Sequence, residues 1–190
     1  MRKLTYLIAT SFDGFISRPD GAIEDFDFEG DHVADLLEMY PETMPTHLRE
    51  HFPVADELKH FDTVLMGRRT YELGLQTGVV SPYRHLRQFV FSSSLPEPPS
   101  EELKLVRSGA EEVVRSLKHE DGKGIWLCGG PRLASSLIDW IDELVLKVNP
   151  FLMGCGKPIF AEPTTKRPLE FIDRRQYQSG FSLARYSLSK

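Results

Sequence analysis

Apolar residues along this chain fall into short β-branched runs separated by stretches with helical spacing. Lys3 to Ala9 (KLTYLIA) predicts a first strand, and Ser11 to Gly21, with Asp-Gly at Asp13-Gly14 and Asp20-Gly21, predicts a loop. Asp31 is placed to cap a helix whose inward face is Val33, Leu36, Leu37 and Tyr40. Pro41, Pro45 and Pro53 then break the chain into a loop with a short helical piece, and a further short helix is expected over Val54 to His60. Strands follow at Phe61 to Met66, Gln88 to Phe91 and Leu103 to Val106. Ser108 with Glu111 reads as a capping box for a helix burying Val113, Val114 and Leu117. Gly124 to Cys128 predicts a fifth strand. Pro131 suits a first helical position, with Leu133, Leu137 and Trp140 as the buried stripe. Leu144 to Val148 gives a sixth strand. Leu169 to Tyr177 and Phe181 to Leu188 meet at Ser179-Gly180 as an antiparallel hairpin.

Strands alternating with helices imply right-handed crossovers, hence a mixed, mainly parallel sheet between two helical layers, with the C-terminal hairpin antiparallel. The pattern shows no repeat or low-complexity tract, and residues 1–190 are expected to form one domain. Ligands of such sheets collect at the carboxyl ends of the strands. Three of those ends carry similar chemistry: Gly67-Arg68-Arg69-Thr70, Ser92-Ser93, and Gly129-Gly130-Pro131-Arg132. Glycine admits a ligand close to the backbone, and a helix start presents free N–H groups. Arginine adds bidentate recognition of a second phosphate. A dinucleotide phosphorylated at two places, such as NADPH, would use both kinds of site.

The net charge of −5 and the lack of a Lys/Arg cluster argue against a nucleic-acid partner. No apolar stretch approaches the roughly 20 residues of a membrane span, and the run after Met1-Arg2-Lys3 is too short for a secretory leader. Two separated cysteines, Cys128 and Cys155, read as reduced, buried thiols, and the expected location is cytoplasmic.

The succession of Ser11-Phe12-Asp13-Gly14-Phe15-Ile16, Met66-Gly67-Arg68-Arg69-Thr70-Tyr71-Glu72, Phe89-Val90-Phe91-Ser92-Ser93, Gly129-Gly130 and Gly154-Cys155-Gly156-Lys157-Pro158-Ile159-Phe160 resembles the dihydrofolate-reductase fold. It is most similar to the reductase domain of the bifunctional riboflavin-biosynthesis deaminase-reductase and its stand-alone relatives. The deaminase half has no counterpart, since the zinc-binding His-x-Glu with Cys-x-x-Cys is missing.

That resemblance implies a three-layer αβα dihydrofolate-reductase-like fold, an NADPH cofactor and, commonly in the family, a homodimer. It implies that Ala9 and Ile16 contact the nicotinamide, and that Gly67, Arg68 and Thr70 hold phosphates. Ser92 and Ser93 would assist Arg68 at the 2′-phosphate, while Gly129, Gly130, Arg132 and Leu133 line the pyrophosphate. The small-molecule substrate it suggests first is the phosphoribosylamino-pyrimidine of riboflavin synthesis, and then dihydrofolate or another pterin.

Reduction also requires a proton, which a carboxyl kept protonated by apolar surroundings can supply. Asp13, Asp25 and Asp27 are the candidates, the last two interleaved with Phe26 and Phe28. Relatives frequently carry Asp-Trp in this region, and here no tryptophan follows. Two other readings compete. An NADPH-binding protein without turnover fits the same motifs. His47-Leu48-Arg49-Glu50-His51 matches the H-x-x-E-H of some zinc hydrolases, although two prolines confine it to about two turns. The expected metal content is none.

Overall fold

The computed structural model describes residues 1–26, 28–97, 100–161 and 165–189. Its ten strands are β1 (Leu4–Ser11), β2 (Phe15–Ser17), β3 (Phe61–Gly67), β4 (Arg87–Phe91), β5 (Leu103–Val106), β6 (Gly124–Gly129), β7 (Glu143–Asn149), β8 (Lys157–Pro158), β9 (Leu169–Gln176) and β10 (Ser182–Leu188). Four α-helices join them: α1 (Val33–Met39), α2 (Arg68–Gln76), α3 (Ala110–His119) and α4 (Pro131–Ser136). Eight strands form one sheet in the order β5-β4-β3-β6-β1-β7-β10-β9, and β2 and β8 pair separately. From β5 to β7 every pairing is parallel, and β10 pairs antiparallel with both β7 and β9. The mixed, mainly parallel sheet with its C-terminal hairpin is therefore as expected.

Alternation along the strands splits the interior into two cores. Leu4, Tyr6, Leu65, Phe89, Ile125, Leu127 and Leu144 pack with Val114 and Leu117 of α3 and Leu133 and Ala134 of α4. Leu7, Val64, Met66, Val90, Trp126 and Val145 face the other way, onto Leu36 of α1 and Tyr71 of α2. Successive side chains of a strand point to opposite faces, so near-continuous apolar runs are what a doubly covered sheet requires.

This layering creates the crevice. The chain leaves β1 and β3 toward the α1/α2 layer, but leaves β6, which lies between them, toward the α3/α4 layer. Strand ends whose connections diverge to opposite faces open a gap between them. Gly129-Gly130 occupies that gap and is joined by a cis peptide.

Several local expectations need correction. Residues 54–60 do not form a helix: the buried Glu42 carboxylate instead accepts the backbone N–H of His60 (2.7 Å) and Phe61 (2.8 Å), fixing an irregular, bent approach to β3. Asp31 does not cap α1; its carboxylate takes the N–H of Gln178 at 2.7 Å. The Ser108 capping box is absent, since the N-cap of α3 is Gly109, held in the left-handed region at φ 71°. The H-x-x-E-H segment is 3-10 helix, Thr46–His51. Three residues per turn put positions four apart on different faces, and among the described residues no three His, Cys, Asp or Glu side chains gather as a metal site. Both cysteines are free, and Cys155 is exposed rather than buried.

Candidate active site

A cleft of about 920 Å³ runs along the carboxyl ends of β3, β4, β5 and β6. Gly67, Arg68, Thr70, Ser92, Ser93, Gly130, Arg132 and Leu133 all line it. Gly129 backs it: a Cβ there would stand 3.3 Å from Thr70 Oγ1, on backbone at φ +142° that side chains rarely adopt. A Cβ on Gly67 would come within 3.2 Å of the Gly130 nitrogen. The ends of β3 and β6 thus touch backbone to backbone, which is why glycine occupies both.

Three helices begin at the rim: α2 after Gly67, α3 after Gly109 and α4 after Gly130, and none has a side-chain cap. The first N–H groups of a helix have no intrahelical partner and carry a partial positive charge. At α3 the first turn holds Glu111 and Glu112, which oppose a bound anion; α2 and α4 have no acid in their first turns. The anion-attracting part of the rim is therefore the Gly67 and Gly130 side.

The side chains reinforce this polarity. Arg68, Arg69, Arg107, Arg132 and Lys157 line the cleft, against Glu72 as its carboxylate. Arg68 Nε donates to Glu72 at 2.6 Å, and its Nη1 donates to Ser94 Oγ at 2.7 Å. Among the described residues, Arg69 and Arg132 have no ion-pair partner. Burial, and then the neighbouring Arg69, hold the Lys157 ammonium below its ordinary range. Concentrating cations in a protein of net charge −5 marks the cleft for an anionic ligand.

Ser92 behaves differently from expectation. Its hydroxyl accepts the N–H of Leu95 at 2.9 Å, tying the turn after β4, and Ser94 is the serine that meets Arg68. Sequence reasoning missed Ser94, Arg107 and Lys157. The Gly154-x-Gly156-Lys157 turn was the available signal: Lys157 enters the cleft because β8 pairs with β2. Ala9 and Ile16 do not line the cleft; Ala9 is half-buried on β1 and Ile16 half-buried on β2.

The acid candidates fare less well. Asp13 accepts the N–H groups of Met153 (3.0 Å) and Gly154 (2.8 Å) and the Ser11 hydroxyl (2.6 Å). These bonds, Met153's foremost, lower its carboxyl to about 2, so it is an ionised clamp between two loops. Asp25 is held by both arms of Arg18, at 2.6 Å each, and this pairing lowers it too. Neither is the protonated carboxyl in apolar surroundings that donation requires. Asp27 lies outside the described residues.

The protein YwjB of Bacillus subtilis (strain 168) is 30% identical over 187 residues, covering 96% of each chain. YyaP of the same organism is 26% identical, covering 94% of this chain and 91% of its own. Among solved structures, a Shewanella sp. PV-4 protein named for riboflavin biosynthesis superposes with a TM-score of 0.71 at 21% identity, each chain covered in full. The diaminohydroxyphosphoribosylaminopyrimidine deaminase/5-amino-6-(5-phosphoribosylamino)uracil reductase of Thermotoga maritima superposes with a TM-score of 0.68 at 15% identity. That match takes in 99% of this chain and 57% of the Thermotoga one. The family model described as the RibD C-terminal domain matches residues 2–183. With a dihydrofolate-reductase-like sheet, a glycine-lined crevice at its carboxyl edge and a family match over nearly its whole length, the chain belongs to the RibD C-terminal domain family.

Proposed function

We propose that this protein is an NADPH-dependent reductase of a C=N or C=O bond in a small heterocyclic or ribosylated molecule. The observation that carries the reading is the cleft itself: uncapped starts of α2 and α4 meet Arg68, Arg69, Arg132 and Lys157 around one 920 Å³ space. Its two poles match a doubly phosphorylated dinucleotide. Gly67, Gly129 and Gly130 admit the pyrophosphate close to backbone N–H groups, and Arg68 with Ser94 stands ready for the 2′-phosphate. The cofactor would supply the hydride. The chain's residues bind its anionic parts and fix its direction along the strand ends. Family membership supports 5-amino-6-(5-phosphoribosylamino)uracil as the first substrate to assay, with dihydrofolate second.

Calorimetric titration and thermal shift with NADPH, NADH and flavins test this reading. NADPH binds and stabilises the wild-type protein, more strongly than NADH does. Arg68→Ala costs about 10- to 150-fold in NADPH affinity, the worth of one charged hydrogen-bond pair, and much less with NADH. Equal losses would assign the 2′-phosphate to another residue, and no NADPH binding by the wild type would end the proposal.

The homodimer is also proposed, through β9. This outermost strand is exposed along its whole length, and Leu169, Phe171 and Ile172 are bare on it, Phe171 at 64%. A second copy of the same strand covers both the apolar side chains and the unpaired edge.

A further inference from the structure

At the edge of the sheet away from the cleft, the central strands exchange an apolar row for a polar one. Trp126 of β6, Leu7 of β1, Val145 of β7 and Leu183 of β10 are buried in the core beneath α1. Two residues nearer that edge, on the same face, stand Gly124, Thr5, Glu143 and Arg185. Thr5 lies directly opposite Glu143 in the β1–β7 ladder. With two small residues in this row, a cavity of about 400 Å³ is left, flanked by Tyr40 and Phe61. β3 runs from one site to the other. Phe61 at its start lines this cavity and Gly67 at its end lines the cleft, a separation of roughly 20 Å along an extended strand.

This cavity offers donors that the protein itself does not use. Thr5 and Tyr40 line it while only 4% and 6% exposed, and among the described residues neither hydroxyl has a hydrogen-bond partner. Interior polar groups are ordinarily satisfied. Burial raises the Tyr40 hydroxyl above its ordinary range, so at neutral pH it keeps its proton and can donate. The charge of the lining is mainly positive: Arg2, Lys3, Lys123 and Arg185 surround Glu143, its carboxylate. Lys3 and Arg185 bracket Glu143, while Asp62 holds Arg2 and Asp173 holds Arg185. Lys123 is left without an ion pair among the described residues. The rings of Tyr40 and Phe61 lie within 10° of parallel and, with Val145, give the cavity a flat apolar flank. Unused hydroxyls, a free ammonium and an aromatic flank in one cavity call for a ligand with acceptors, negative charge and a flat body.

We propose that the cavity at the amino ends of β1, β3, β6 and β7 is a second ligand site, and that it takes a small anion carrying a flat ring, an aromatic carboxylate or phosphate ester. The anionic group meets Lys123, the ring lies against Tyr40 and Phe61, and the ligand's acceptor atoms receive the Thr5 and Tyr40 hydroxyls. The site is separate from the cleft and stands whatever the cleft binds. The two lie at opposite ends of the same strands and share no lining residue, so both can be filled at once.

Amide NMR of the ¹⁵N-labelled protein tests this, with benzoate, phenyl phosphate, cyclohexanecarboxylate and inorganic phosphate added separately. Benzoate or phenyl phosphate should shift Thr5, Gly122 and Gly124 saturably, and the tighter of the two identifies the anionic group. The cleft draws anions as well, so its own amides, Gly67, Gly109 and Gly130, are followed apart from these. Tyr40→Phe keeps the ring and removes an unpartnered hydroxyl; it should melt at the same or a higher temperature and bind the ring-bearing anion about fivefold more weakly. Lys123→Gln, an exposed change that leaves the fold alone, should weaken it by a similar factor. Shifts confined to the cleft, or both variants binding as tightly as the wild type, overturn the site. Inorganic phosphate binding as tightly as phenyl phosphate, or cyclohexanecarboxylate as tightly as benzoate, overturns the flat ring.

Discussion

At the level of single residues, charge and partner decide role more firmly than residue type does. Asp13 illustrates this. Asp13 has the identity of a proton donor, yet three hydrogen-bond donors hold it ionised. Its folded value of about 2 lies below the ordinary carboxylate range, so the clamp contributes in full above that range and fades as pH falls toward 2. Asp13→Asn should therefore melt below the wild type at neutral pH, with the two curves converging by about pH 2; a gap that persists there would refute the clamp. Gly67 and Gly129 were legible because close backbone approach demands glycine, and Arg68 was legible as a cation at a strand end lining the cleft.

Among the secondary-structure elements, the long strands were readable, whereas of the helix starts the clearest was Pro131 at the head of α4. β3, β5, β6 and β7 follow apolar runs to within a residue or so, because a strand covered on both faces needs such runs. α2 left almost no signature: of its nine residues Tyr71 alone is buried, and its start is a pair of arginines. The helix expected over 54–60 failed because a distant carboxylate, Glu42, claims its backbone N–H groups. Local spacing carries no information about such a contact. The same scale sets the oligomer. Phe171→Lys on β9 should convert a dimer to a monomer in light scattering without lowering NADPH affinity, since β9 lies at the far side of the sheet from the cleft. A wild-type protein that is monomeric at micromolar concentration would remove β9 as an interface.

Over the whole molecule, the distribution of charge matters more than its sum. The chain is acidic, yet its cleft gathers five cationic side chains against Glu72. A field of this kind acts over distances that salt shortens, from roughly 14 Å at 0.05 M to 4 Å at 0.5 M. NADPH affinity should fall several-fold across that range, mainly through slower association in stopped flow. Affinity indifferent to salt would mean that the cations do not face the ligand. The position of β6 has a consequence for biogenesis. It is the sixth strand to be synthesised, yet it must slot between the first and the third. Until residue 129 has left the ribosome, β1 and β3 each present an unpaired border, and the walls of the cleft cannot close. Nascent chains stalled before that point therefore expose both margins of β1 and one of β3, and make a natural client for a chaperone.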